Sequence, residues 1–135
     1  MSTEKFGRGV GPLAEKMGIE LVSATPEKII GTMPVKGNTQ PFGILHGGAH
    51  VVLAESLGSV GAWLHGQTIA QGSRAVGIEV SATHHKSVTQ GVVTGTAEAI
   101  HLGKTLAHYN IVMEDEEGRR LSTAKLTAMI LPPQK

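Results

Sequence analysis

Residues 47–65 contain the one long helical pattern in the sequence, and this pattern is apolar on nearly every side. Four large apolar residues recur at helical spacing, namely Leu53, Leu57, Val60 and Leu64. Small residues occupy most positions between them. Glycine inside a helix costs about 1 kcal/mol relative to alanine, so packing against other elements must stabilise this helix. Small residues also let another backbone approach closely. The sequence therefore predicts a buried central helix with a sheet wrapped around it.

Extended segments flank the predicted helix on both sides. Residues 19–35 are rich in Val, Ile and Thr, and Thr25-Pro26 predicts a turn that divides them into two strands. After the helix, four apolar residues alternate with small or polar ones: Val76, Ile78, Val80 and Ala82. This alternation has a period of two and predicts a strand with these four side chains on one face.

Three more strands are expected at about residues 90–101, 104–115 and 119–131. The last two are joined by an acidic segment in which Gly118 is available for the positive φ angle of a hairpin turn. The strands after the helix are expected to form an antiparallel meander. The order of strands, long helix and meander places the chain in the α+β class.

A length of 135 residues predicts a single domain. We expect a flexible tail at residues 1–10 and one domain over residues 11–135. A short helix is expected at Pro12–Met17, because proline suits a first helical turn, and little function is expected there. The amino end has no apolar signal segment and no apolar stretch is long enough to span a bilayer, so a cytoplasmic protein without a membrane partner is expected.

Composition argues against two further classes of function. Lys plus Arg number 12 and Asp plus Glu number 11, which gives a net charge of +1 with no bulk field toward nucleic acid. The four aromatic residues are too scattered to form a base-stacking surface: Phe6, Phe42, Trp63 and Tyr109. No nucleic-acid partner is therefore expected.

The absence of cysteine removes disulfides, thiolate nucleophiles and cysteine-based zinc sites.

The densest set of chemically useful residues spans the end of the loop before the predicted helix and the first half of that helix: Gln40, His46, Gly47, Gly48, Glu55 and Ser59. Free backbone N–H groups at a helix start stabilise a developing oxyanion, and glycines there let a carbonyl come close. A carboxylate at Glu55, inside an apolar helix, is paired, exposed or kept for chemistry. The spacing alone is also consistent with non-catalytic interpretations, in which Glu55 is a solvated glutamate and Gly47-Gly48 an ordinary turn.

The central stretch of the chain resembles the hotdog-fold acyl-CoA thioesterases. The resemblance covers residues 18–131, and its most specific part is Gln40-Pro-Phe-Gly-Ile-Leu-His-Gly-Gly-Ala-His-Val-Val-Leu-Ala-Glu-Ser-Leu-Gly-Ser. It is greatest to the branch with Arthrobacter-type 4-hydroxybenzoyl-CoA, 1,4-dihydroxy-2-naphthoyl-CoA and phenylacetate-pathway thioesterases. The resemblance implies a long helix wrapped by a five- or six-stranded antiparallel sheet, with active sites at the interface of a homodimer and dimers that commonly pair into tetramers.

The resemblance also implies roles for five residues. Glu55 is the helix carboxylate that attacks the thioester carbonyl or activates water, and the Gly47 N–H polarises the thioester oxygen. His46 and Gln40 position the carbonyl and the loop, and Ser59 holds the water or the carboxylate. Because thiolates leave readily from electrophilic thioesters, this set needs no metal and no cofactor.

Coenzyme A would be part of the substrate, and its phosphates require basic residues near the site. We expect them at His84, Lys86 and Ser87, at the end of a strand, aided by Gly103 and Lys104. Relatives often carry arginine at position 86, so Lys86 keeps the charge but loses bidentate geometry. An ordinary polar strand end is the alternative interpretation.

Two other functions remain open at this point. The same fold can serve as an acyl-CoA binding or sensing module without catalysis, and it also supports hydratases and dehydratases. The presence of Glu55 favours hydrolysis, and the layout of His46-Gly47-Gly48 and Glu55 differs from that of a hydratase. A metal site is not expected, because neither the adjacent pair His84 and His85 nor the helically spaced pair His46 and His50 has a third ligand nearby in sequence.

Overall fold

The computed structural model describes residues 10–134, which form two helices and six strands. In chain order these are α1 (Pro12–Lys16), β1 (Glu20–Ala24), β2 (Lys28–Pro34), α2 (Gly47–Ile69), β3 (Arg74–His84), β4 (Val92–Leu102), β5 (Leu106–Glu114) and β6 (Arg120–Leu131). Of the tail predicted at residues 1–10, residues 1–9 lie outside the described residues.

The six strands form one antiparallel sheet in the order β1-β2-β4-β5-β6-β3, and α2 packs on one face of it. This is the α+β hotdog architecture that the sequence predicted. The hairpin between β5 and β6 is also confirmed, with Gly118 at φ 77°. None of the helices within residues 10–134 is both long and apolar enough to cross a membrane.

Small residues let α2 approach the sheet closely. Leu53 and Leu57 are fully buried between the helix and the strands. A Cβ added at Gly61 would lie 2.6 Å from the hydroxyl of Tyr109, a fully buried residue of β5. The predicted buried helix is therefore confirmed, and its glycines serve the contact with the sheet.

The helix is longer than predicted, because it continues through Gly66 to Ile69 instead of ending at His65. Gly66 is buried against Ser73 and Ile130, where an added Cβ would meet carbon atoms at 3.2 and 3.3 Å. The absence of a side chain at this position thus reflects packing and not a helix end.

The predicted meander is wrong for β3, which pairs with β6 at the edge of the sheet and not with β4. A register shift between Gly77 and Glu79 interrupts this pairing. As a result, Val76 and Ile78 are exposed, at 44% and 52%, while Val80 and Ala82 are partly buried. The four apolar residues therefore do not share one face, because a β-bulge reverses the alternation.

Candidate active site

Helix α2 begins at a capping residue that leaves one backbone amide free. His46 is the N-cap, with φ −63° and ψ 131°, and its Nδ1 accepts a hydrogen bond of 2.8 Å from the Gly48 N–H. The Ala49 N–H donates to the His46 carbonyl at 2.9 Å. Within residues 10–134, the Gly47 N–H has no acceptor. The positive end of the helix dipole therefore presents one available donor at Gly47.

Gln40 holds the loop that precedes α2. Its backbone N–H donates to the Ile44 carbonyl, and its own carbonyl accepts from the Gly43 N–H, each at 2.9 Å. Its side-chain oxygen accepts from the Phe42 N–H. Gly43 adopts φ 86°, so this tight turn favours glycine there. Gln40 thus forms hydrogen bonds within the loop through both its backbone and its side chain.

A cleft of about 270 Å³, the amide cleft, lies in front of the start of α2. It brings together five predicted site residues from three separate stretches of sequence: Gln40, Gly47, His84, Lys86 and Ser87. The segment after β3 reaches the helix because the Leu45 N–H donates to the Val88 carbonyl at 2.8 Å. The predicted oxyanion donor and most of the predicted CoA-binding residues thus face one space.

His84 is fixed beside the Gly47 amide. The Ser122 hydroxyl donates its proton to the Thr83 carbonyl at 3.1 Å. The same hydroxyl lies 2.9 Å from His84 Nδ1, so its oxygen accepts a hydrogen bond from that nitrogen. This arrangement places the proton on Nδ1 and turns Nε2 toward the helix start. A Cβ added at Gly47 would lie 2.7 Å from Nε2, so only glycine fits without a shift of the ring.

The sequence did not single out His50, which lies behind His84. His50 is 4% exposed, and the two rings are 5.4 Å apart. Burial, and then repulsion from His84, lower the pKa of His50 from 6.5 to about 4. Its Nδ1 is buried without a hydrogen-bond partner in the described part of the chain. His50 is therefore neutral near pH 7, and only its helical spacing from His46 hinted at this location.

Glu55 lies in a different space, the carboxylate cleft, whose volume is about 380 Å³. The helix contributes most of the lining: Val52, Glu55, Ser56, Ser59, Val60 and Trp63. Glu55 is half-buried, and no side chain or amide of residues 10–134 forms a hydrogen bond with its carboxylate. Ser59 faces the same cleft one turn later, without a hydrogen bond to Glu55.

The amino-terminal segment closes one side of the carboxylate cleft. Val10 and Leu13 line it together with the helix residues, and Leu13 is 59% exposed. Little function was expected of this segment, because chain termini are often poorly ordered. The packing of α1 against α2 reveals its contact with the cleft, which no sequence pattern indicated.

Gly47 and Glu55 are eight residues apart on α2, which corresponds to about 12 Å along the helix axis. A glutamate side chain is too short to bridge this distance to a carbonyl bound at the Gly47 amide. The free donor and the free carboxylate of one chain therefore serve two different spaces.

Gly103 and Lys104 lie far from the amide cleft. The His65 ring donates from Nε2 to the Gly103 carbonyl at 2.7 Å, which places the turn between β4 and β5 next to His65. His65 is about 27 Å along the axis from Gly47. Within one chain, these two residues thus do not extend the basic patch at His84 and Lys86.

The described residues include no group of three His, Asp or Glu side chains that could hold a metal ion. The groups that line the two clefts include an amide donor, imidazoles, serine hydroxyls, a lysine and a carboxylate.

Comparison with protein families decides the relationship of the chain. The family model of the thioesterase superfamily matches residues 42–122, which include all of α2. The chain belongs to the thioesterase superfamily. For this thioesterase, the predicted hotdog fold and the predicted class of thioester hydrolase are both confirmed.

Individual relatives of this thioesterase agree with the family match. The proofreading thioesterase EntH of Cronobacter turicensis is 44% identical over 123 residues, which are 90% of this chain and 88% of EntH. A crystal structure of the Q49A mutant of thioesterase PA1618 from Pseudomonas aeruginosa superposes with a TM-score of 0.88. The PA1618 sequence is 36% identical, and the superposition covers 98% of this chain and 95% of the PA1618 chain.

A more distant structure shares the fold and contains a ligand. It is a hypothetical thioesterase from Streptococcus pneumoniae with coenzyme A, 18% identical, with a TM-score of 0.79 over 99% of this chain and 100% of that one.

Proposed function

We propose that the protein hydrolyses acyl-CoA thioesters with an aromatic or medium-sized acyl group to the free acid and CoA. The observation that carries the proposal is the pair of unsatisfied groups on α2, the Gly47 N–H and the Glu55 carboxylate. The EntH and PA1618 relatives, which are named thioesterases, support the class of reaction.

In the proposed mechanism, the thioester oxygen accepts a hydrogen bond from the Gly47 N–H at the positive end of α2. Negative charge grows on this oxygen during attack, so the amide stabilises the transition state more than the ground state. His46 keeps this amide free by capping Gly48 instead, and Gln40 fixes the loop beside it.

Glu55 either attacks the thioester carbon directly or removes a proton from an attacking water. Direct attack forms a mixed anhydride and releases the CoA thiolate, after which water hydrolyses the anhydride. General-base attack gives the acid and thiolate in one addition and elimination sequence. Ser59 lies close enough along the helix to hold the water or the carboxylate in either route.

We propose that the complete site forms between two chains, with the Gly47 amide of one protomer facing Glu55 of its partner. The separation of about 12 Å on one helix supports this arrangement, because a glutamate side chain is too short to span it. Strand β3 is an edge strand with two exposed apolar residues, Val76 and Ile78, which suits pairing with a second copy. A homodimer is the minimal active unit in this proposal, and dimers pair into tetramers.

Apolar lining near Glu55 favours a ring or a medium-length chain as the acyl group. Val52, Val60 and Trp63 face the carboxylate cleft, and the ring of Trp63 offers an aromatic surface. Coenzyme A in the S. pneumoniae structure supports CoA as the carrier of the acyl group.

The test is steady-state hydrolysis of benzoyl-, hydroxybenzoyl-, dihydroxynaphthoyl-, phenylacetyl- and fatty acyl-CoA by wild type, Glu55→Gln and Glu55→Ala. We expect one aromatic substrate to be preferred and both variants to lose roughly 10²-fold to 10⁴-fold in kcat. Glu98→Gln, which changes an exposed carboxylate on β4, should keep wild-type kcat. Unchanged kcat in both Glu55 variants would remove the glutamate from the mechanism, and binding without hydrolysis by wild type would favour the acyl-CoA binding module.

A further inference from the structure

A second groove of about 550 Å³, the basic groove, lies at the pair of strands β3 and β6. It is lined by hydroxyl, cationic and small side chains: Ser81, Ala82, Thr83, His85, Arg120, Thr123, Ala124 and Lys125. Of its polar residues, only His85 lies within the segment 84–87 in which CoA binding was predicted, because the lining is spread over 45 positions of the sequence.

Strand register explains why these residues meet. Ser81 pairs with Lys125, and Thr83 pairs with Thr123, so their side chains stand in neighbouring rows. The His85 ring lies 2.9 Å from the Thr123 hydroxyl, which holds the imidazole over the groove. Arg120 is the first residue of β6 and is exposed at the same end.

The charge of the groove is not neutralised by the described residues. Arg120 and Lys125 form no ion pair within residues 10–134, and no carboxylate lines the groove. Two carboxylates lie next to the groove without lining it. Glu114 is the β5 partner of Arg120, and Glu79 lies two residues before Ser81 on β3. Free cations among hydroxyl groups suit phosphate, which accepts charge-assisted hydrogen bonds from both kinds of donor.

The basic groove is continuous with the amide cleft. His85 lines both spaces, and it follows His84, which faces the Gly47 amide. Successive side chains of a strand point to opposite faces, so the end of β3 links the helix face of the sheet to the groove. A ligand whose reactive end lies at Gly47 can therefore follow this strand end toward Arg120 and Lys125.

We propose that the basic groove binds the phosphate groups at the nucleotide end of the CoA thioester substrate, through Arg120, Lys125 and His85. The assignment rests on the proposed function, since it takes the thioester carbon to lie at the Gly47 amide. It places the phosphates at β3 and β6 of the chain that supplies the Gly47 amide, because Gly103 and Lys104 of that chain lie near the other end of α2.

The first experiment compares an acyl-CoA with the matching acyl-pantetheine thioester, which lacks the nucleotide phosphates. We expect Arg120→Ala and Lys125→Ala each to raise KM for the acyl-CoA about tenfold, with kcat within about twofold, because each removes a charge-assisted contact. Neither variant should change KM for the pantetheine thioester. Lys28→Ala, which removes an exposed cation on β2, is the matched control and should leave both KM values unchanged.

An unchanged acyl-CoA KM in both groove variants would overturn the proposal, as would equal KM increases for the two substrates. A KM increase in Lys104→Ala alone would move the phosphates to the β4–β5 turn.

The second experiment is calorimetric titration with adenosine 3′,5′-bisphosphate, which needs no hydrolysis. We expect wild type and Lys28→Ala to bind it, and Arg120→Ala/Lys125→Ala to lose about 100-fold in affinity. Added salt should weaken the wild-type binding. Binding by the double variant at wild-type affinity would refute the groove even in an active enzyme. Binding that the double substitution removes, in a protein that hydrolyses no thioester, would support the groove and refute the proposed function.

Discussion

The Glu55 carboxylate occupies the space that a side chain at Gly77 would fill. A Cβ added to Gly77 would lie 2.5 Å from Glu55 Oε2 and 3.3 Å from Leu126 Cδ1. Gly77 is also where the register of β3 and β6 shifts, so the bulge and the missing side chain occur at the same place. Strand β3 thus forms one wall of the position in which Glu55 is held.

Gly77→Ala should displace the carboxylate and lower kcat. A misplacement of about 1 Å costs up to about 100-fold in rate, so we expect a loss of 10-fold to 100-fold with little change in KM. Steady-state kinetics with the preferred thioester measures this loss.

Gly31→Ala is the matched control for Gly77→Ala. Gly31 lies in β2 against the same helix, but its added Cβ would meet Leu57 Cδ2 at 2.6 Å and no carboxylate. We expect Gly31→Ala to lower the free energy of unfolding by about 1–3 kcal/mol through overpacking, with kcat within about threefold of wild type. Equal kcat losses in the two variants would show that Gly77 acts through stability alone.

Gly47→Pro should remove the proposed oxyanion donor without destroying the helix. Proline is favoured at the first helical position, and His46 already has the extended conformation that precedes proline. Its added Cβ contacts His84, but Gly47→Ala makes the same contact and keeps the N–H. We expect Gly47→Pro to have a kcat about 10²-fold to 10³-fold lower than Gly47→Ala. Similar values of kcat would exclude the amide from the reaction.

Mixed dimers test whether Gly47 and Glu55 of different chains form one site. Inactive Gly47→Pro and Glu55→Ala proteins should regain about a quarter of wild-type activity when unfolded together and refolded, because half of the dimers are mixed and each has one intact site. Each protein refolded alone should stay inactive. Lack of recovery, with mixed dimers shown by mass spectrometry, would contradict a site shared between chains.

The fold was predictable where one pattern had only one structural solution. A helix apolar on all sides must be covered, and the alternating segments after it could only supply strands. The bulge in β3 was not predictable, because the strict alternation of apolar residues at 76–82 gives no sign of an extra residue in the strand. The helix end was misplaced because a buried Gly66 looks the same in sequence as a glycine that ends a helix.

The candidate site was predictable only as far as residues close in sequence define it. The start of α2 brings Gln40, His46 and Gly47 together through local hydrogen bonds. By contrast, Arg120 and Lys125 join His85 only through the pairing of β3 with β6, an order of strands that the sequence did not reveal. Consecutive strands pair in most sheets, so the local pattern of β3 does not indicate that its partner is the distant strand β6.

His46→Ala should weaken both the helix cap and the proposed catalysis. The lost Nδ1 acceptor leaves the Gly48 N–H uncapped, which costs about 0.5–2 kcal/mol in the free energy of unfolding. We expect a smaller fall in kcat than for Glu55→Ala. His46→Asn supplies a capping oxygen and should recover most of the stability in urea unfolding. If His46→Asn is as unstable as His46→Ala, the cap is not the stabilising contact.

His50 should make the protein less stable as the pH falls through the range from 6.5 to 4. Its pKa is about 4 in the folded protein and near 6.5 when unfolded, so the unfolded chain binds more protons within this range. The free energy of unfolding should therefore fall on acidification by about 3 kcal/mol from this group and level off below pH 4. Urea unfolding at pH 7, 5.5 and 4 measures the fall.

His50→Gln removes the titrating ring from the pair with His84 and should reduce this pH dependence. We expect the variant to be less stable than wild type at pH 7, because the buried position is repacked, but to approach or exceed it at pH 4. His101→Gln, which changes an exposed histidine on β4, should follow the wild-type curve. The same loss between pH 7 and pH 4 in wild type and His50→Gln would mean that His50 does not govern acid unfolding.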